Sequence, residues 1–208
     1  SGTYYSDYLF WNNTSNTYQV GSTNVHIGQN AGQANQGQYG IAMGYQSGQY
    51  SQGQNTIAIG YQAGQLNQTQ YATAIGYQAG YNAQGQSAVA LGYNAGYNNQ
   101  GQGAIAIGLT TAVVSQGYRA IAMGWGTGYS NQGTHSIGIG TDAGSLNQGQ
   151  YSLALGYQAG STNQQTGTVA IGYQSGQGVQ GTYSVAIGYQ AGQLNQSSYS
   201  IAIGYQAG

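Results

Sequence analysis

Cysteine, proline, lysine and glutamate are all absent from the 208 residues, and the charged side chains reduce to Asp7, Asp142 and Arg119. Without cysteine there is neither a disulfide framework nor a thiolate metal site. A formal charge of −1 leaves no basic surface to neutralise phosphates and no polybasic patch for anionic lipid, which argues against nucleic acid and membrane surfaces as partners. No apolar run reaches the length of a membrane-spanning helix, so membrane insertion is not expected, and the first residues lack the charged and apolar regions of a signal peptide. The missing proline points the other way: every backbone N–H stays available, as uninterrupted β-ladders require. Ile, Val, Leu and Phe number only 31, which would indicate disorder if they were scattered.

They are not scattered. A glycine recurs every 16 residues, twelve times, from Gly28 and Gly44 through Gly108 to Gly188 and Gly204, without insertion or deletion. A fixed short period marks a solenoid, whose units cannot bury their apolar side alone. The residue before each glycine is aliphatic, as in Ile27, Met43, Leu91 and Ile203, and so is the residue two before that, except Thr73. Between them stands Ala, with His26 and Gly138 as exceptions. Large, small, large is a strand with its two faces distinguished. The expectation is that the aliphatic pair points inward, and that Ala58, Ala74, Ala90, Ala106, Ala122, Ala154, Ala170, Ala186 and Ala202 form a flat outer stripe for self-assembly.

An aromatic column follows the glycine, with Tyr61, Tyr77, Tyr93, Tyr157, Tyr173 and Tyr189 among its members, and a further glycine then marks a tight corner. Farther round the coil, Gln recurs as Gln36, Gln52, Gln68, Gln84, Gln100, Gln116, Gln132, Gln148, Gln164, Gln180 and Gln196. Stacking coils at about 4.8 Å turns such columns into ladders, and an amide, being donor and acceptor at once, satisfies its own kind along the axis. About eleven coils give a rod roughly 50–55 Å long. The all-β reading is thus a parallel β-solenoid, or β-roll, over 24–208. Residues 1–23, with Tyr4, Tyr5, Tyr8, Leu9, Phe10 and Trp11 close together, read as a hairpin-forming N-terminal cap or junction. The last residue, Gly208, comes without a change of composition, so end-to-end stacking or further chain is expected there.

Candidate chemistry is sparse. Asp142 has Gly126 and Gln158 as column neighbours, and His135 and Arg119 share a column in adjacent coils without a carboxylate. That lacks triad or metal geometry, so neither catalysis nor a cofactor is expected. Gly60-Tyr61-Gln62-Ala63-Gly64 and its copies have no Lys-Ser/Thr after them and no helix context, so these glycines are corners rather than phosphate loops. Sequons at Asn12, Asn13, Asn67 and Asn195 are candidate glycosylation sites in a secretory setting.

The motif Ser184-Val185-Ala186-Ile187-Gly188 resembles the repeats of YadA-like trimeric autotransporter heads. The longer form from Ile57 to Gln68, with the lead-in from Leu9 to Tyr18, is similar to repeats of phage and giant-virus fibre proteins. The resemblance implies a left-handed β-roll, three chains about an axis, and a role in adhesion or fibre architecture. A 16-residue period with a tyrosine ladder also resembles bacterial ice-nucleation proteins, although their Thr-x-Thr columns are missing here. The expectation is therefore a non-catalytic shaft of an extracellular, cell-surface or virion fibre. Its partners are copies of itself, as trimer or filament, with a cell-surface or glycan receptor in the adhesive alternative and ice as the third.

Overall fold

The computed structural model describes residues 7–12, 14–21 and 23–208, and among these it contains strands, turns and bends but no helix. From Val25 on, each repeat is one coil of a parallel β-solenoid. The coil has two short strands. The first, beginning with β3 (Val25–Ile27), stacks into a twelve-stranded parallel sheet ending at Ile201–Ile203. The second, beginning with β4 (Ala34–Gln36), stacks into a seven-stranded sheet ending at Ser130–Gln132, and bridges such as Gln164 to Gln180 continue it. Register is the repeat itself: Ile105 pairs with Ile121, Ala106 with Ala122 and Ile107 with Met123.

Left-handed residues turn the corners of the coil and, at Ser51, also kink the middle of its second strand, Tyr50–Gln52. In the coil that starts at Gly44, backbone φ is 128° at Gly44, 54° at Gln46, 47° at Gly48, 57° at Ser51 and 54° at Asn55. The first of these positions is closed to side chains on a second count. A Cβ built on Gly140 would lie 2.5 Å from the carbonyl oxygen of Gly156 in the next coil. So the column of glycines is imposed both by φ and by coil-to-coil contact.

So tightly wound a coil has a narrow interior, and its contents correct the expected strand orientation. Ala72, Ala74, Ala79 and Gln84 are fully buried in one coil. Ala58, Ala90, Ala106, Ala122, Ala154, Ala170 and Ala186 are likewise at 0% exposure, with Ala202 at 4%. The Ala column therefore faces inward and is no outer stripe. The aliphatic pair faces outward, Leu91 being 41% and Ile139 37% exposed. Volume explains the inversion. Ala90 Cβ lies 3.2 Å from the position a Cβ on Gly96 would take, and the Gln100 side chain fills the other side of that glycine. A methyl group fits this space and a branched side chain does not.

Ahead of the solenoid, β1 (Leu9–Asn12) and β2 (Thr17–Val20) form an antiparallel hairpin, with Leu9 opposite Val20 and Asn12 opposite Thr17. Its turn is held by Asn12 Oδ1, which accepts from the backbone N–H groups of Thr14 and Ser15 at 2.8 and 3.1 Å. Tyr8 ties the hairpin to the first coil. Its hydroxyl donates to the Asn24 carbonyl at 2.8 Å and accepts from the His26 N–H at 2.7 Å. The Phe10 ring lies 5.7 Å from the His26 ring. Tyr4 and Tyr5 fall outside the described residues.

Candidate functional site

Three kinds of surface arise from this coil. The first is the outer face of the twelve-stranded sheet. Because the interior takes Ala, both large side chains of each strand are displaced to this face, so Val89 and Leu91, Ile105 and Ile107, Ile121 and Met123 stand in register along the rod. These aliphatics are half-buried by their neighbours above and below, and the rest of each side chain meets water.

The second is internal and polar. Gln84 Nε2 donates to the Thr73 carbonyl at 2.7 Å within its coil and to Gln100 Oε1 at 3.2 Å in the next. Gln68 repeats this with the Ile57 carbonyl and Gln84, each at 2.9 Å, and Gln132 with the Ile121 carbonyl and Gln148. Gln68, Gln84 and Gln132 thus bridge the two sheets and pair along the axis, which satisfies an otherwise costly buried amide. The ladder has breaks, since Gln116, Gln164 and Gln196 each keep a buried Oε1 without a partner.

The third surface is aromatic. Tyr61 and Tyr77 stack at 5.0 Å, Tyr77 and Tyr93 at 4.8 Å, Tyr157 and Tyr173 at 5.1 Å, and Tyr173 and Tyr189 at 5.1 Å. Beside these rings runs an outer amide row that sequence reasoning missed. Gln62 donates to Gln46 at 2.8 Å and Gln78 to Gln62 at 2.7 Å, and Gln190 to Gln174 at 2.9 Å. The repeated Tyr-Gln-Ala-Gly was the available signal. A short second row, Tyr81 on Tyr97 at 4.9 Å, pushes the Tyr97 phenol pKa up, through partial burial first and then the neighbouring phenols.

Arg119 and His135 share one corner in adjacent coils, and Asp142 stands at another. Arg119 packs on the Tyr118 ring at 4.9 Å, and His135 stacks on Tyr151 at 5.4 Å. Asp142 lies in the outer amide row, its carboxylate over Gly126, and its backbone N–H donates to the Trp125 carbonyl. Among the described residues no cluster of His, Asp or Glu has metal-binding geometry. His26 stands at the Ala position of the first coil with its Nε2 buried and unpartnered, and burial lowers its pKa. Of the sequons, Asn67 and Asn195 are exposed, Asn12 is engaged with the turn, and Asn13 lies outside the described residues.

The family model of the YadA head domain repeat matches residues 51–64, 70–95, 148–175 and 180–191. These stretches coincide with the two blocks in which the tyrosine column and the outer amide row are regular. The gap between residues 95 and 148 holds the coils of Leu109, Trp125 and Thr141, where the tyrosine column and the outer amide row are interrupted while the inner Gln column continues. No curated protein and no solved structure matches the chain. The likeness is thus to YadA head repeats, in sequence over those segments and in the β-roll architecture that the coils adopt.

Proposed function

We propose that this chain is a non-catalytic rod that works as part of a surface fibre, packed side by side with copies of itself through the aliphatic face of the twelve-stranded sheet. One observation carries the reading: two large apolar side chains per coil, one in the coil of Thr73, are kept outside, in register, over the whole rod. An apolar stripe of that length on a nearly uncharged protein favours burial against a like surface. Three rods about a common axis would cover it on every copy, in keeping with the YadA-type repeats. The assembly surface is therefore assigned to the aliphatic pairs and not to the Ala column. Display outside the cell or on a virion belongs to the same proposal, as does a capping role for the hairpin, which places Tyr8 and Phe10 against the first coil.

An adhesive role is the second reading, favoured by the tyrosine hydroxyls of the ladder. Tyr61, Tyr77, Tyr173 and Tyr189 are a little over 40% exposed, and their hydroxyls have no protein partner among the described residues. Native mass spectrometry tests the assembly directly, since the account expects a species at three times 21.4 kDa and a monomer at all concentrations would remove it.

A further inference from the structure

One rung of the aromatic column is open. Thr141 stands where the coil on one side carries Trp125 and the coil on the other carries Tyr157. Adjacent rings of the column are 4.8–5.3 Å apart, so two coil steps leave about 10 Å between the levels of Trp125 and Tyr157. Of the other ringless rungs, Leu109 is filled by a branched side chain and Gln29 lies in the first coil with a ring on one side only. Trp125 is 59% exposed against 40–48% for Tyr45 to Tyr93, and has no ring contact of its own.

Beside the open rung lies the only carboxylate of the solenoid. Asp142 replaces the Gln of the outer amide row, and because Gly126 has no side chain, the carboxylate turns into the space next to Trp125. Neither the Asp142 carboxylate nor the Thr141 hydroxyl has a protein partner among the described residues. A tryptophan, a tyrosine, a ringless threonine rung and an unpaired carboxylate are brought together by successive coils.

We propose that this gap binds one uncharged hexopyranose. A chair is thicker than a flat ring, and placed midway it would have its mean plane about 5 Å from each aromatic ring, within the usual range of ring contacts, with its axial C–H groups closer. Two neighbouring sugar hydroxyls donate to the Asp142 carboxylate, and such charge-assisted bonds are the strong ones. The same charge repels acidic sugars. A guanidinium would also complement the carboxylate but, being smaller in area than a phenol ring or a pyranose, would cover less of the neighbouring rings. The inference rests on the adhesive reading, and its failure would leave the aliphatic assembly face untouched.

The test uses the full chain with Trp11→Phe, so that Trp125 is the sole tryptophan reporter. Methyl glycosides of the common neutral hexoses are titrated, alongside N-acetylneuraminic acid, sorbitol and N-acetyl-arginine amide. At least one neutral glycoside is expected to give a saturable fluorescence change at millimolar concentration, with none from the acidic sugar or the polyol. Asp142→Asn should weaken it about tenfold, as loss of a charged acceptor does. Thr141→Tyr, which restores the rung, should abolish it with an unchanged or raised melting temperature and unchanged self-association. The proposal is overturned if no neutral glycoside saturates, if sorbitol or the arginine derivative responds as well, or if binding survives Thr141→Tyr.

Discussion

Exchanging the fates of two adjacent residues, Ala90 and Leu91, probes the inverted strand most sharply. Ala90 is fully buried against Gly96, and Leu91, one residue on, is 41% exposed. Ala90→Leu forces three further carbons into a space in which no neighbour can yield without moving backbone, since Gly96 presents its Cα and Gln100 is held by two carbonyls. Overpacking of this kind costs about 1–3 kcal/mol, and the upper end is expected where the wall is backbone. For a chain of this size each kcal/mol lowers the melting temperature by about 2–4 °C. A solenoid loses structure locally, so hydrogen exchange should show protection falling in the coils on either side of Ala90 before the rod ends respond. Leu91→Lys should instead leave each coil folded, costing under about 1 kcal/mol in the separated chain because the lysine stem still covers its neighbours, and should act on association. A neutral Ala90→Leu together with a Leu91→Lys that unfolds the separated chain would refute the orientation.

Other perturbations address other parts of the coil. Gly140→Ala should cost at least about 1–3 kcal/mol, because φ is +128° and the added Cβ meets the Gly156 carbonyl; a urea melt reads it. Gln84→Leu leaves the Thr73 and Ala88 carbonyls and the Gln68 amide short of partners, and about 2–3 kcal/mol of stability should go with them. For His26 the folded-state pKa lies below its ordinary value of 6.5, so the unfolded state binds the proton more readily. The contribution is therefore present above that ordinary value and is lost as pH falls through the lowered pKa. Amide signals of the hairpin and first coil should broaden on acidification, and His26→Ala, which copies Ala42 of the next coil, should remove the effect.

The period, the coil, the parallel register and the inner Gln ladder were legible in the sequence because each follows from repetition and from amide chemistry. The side of the strand was not. Alternation at Ile105-Ala106-Ile107 gives two faces without saying which is inside, and the usual rule that the larger apolar residues go in fails when the coil is too narrow for them. The better signal was constancy. Of the three strand columns Ala varies least after the first coil because only a methyl fits, whereas Ile, Leu and Met interchange freely at Ile107, Met123, Ile139 and Leu155. The outer amide row was missed because a glutamine beside a tyrosine reads as solvated until the left-handed corner aligns it with its copies. The open rung at Thr141 was hidden in the least regular coils, where loss of pattern looks like loss of constraint.

The claim on which the functional reading depends is that the exposed aliphatic pairs hold copies of the rod together. Sedimentation velocity at micromolar concentration, run on wild type and on Leu91→Lys with Ile107→Lys and Met123→Lys, with circular dichroism on the same samples, measures it. The account predicts an assembled wild type, trimeric or larger, and a monomeric variant with the same strand signal. A monomeric wild type, or a variant that assembles as the wild type does, would contradict it.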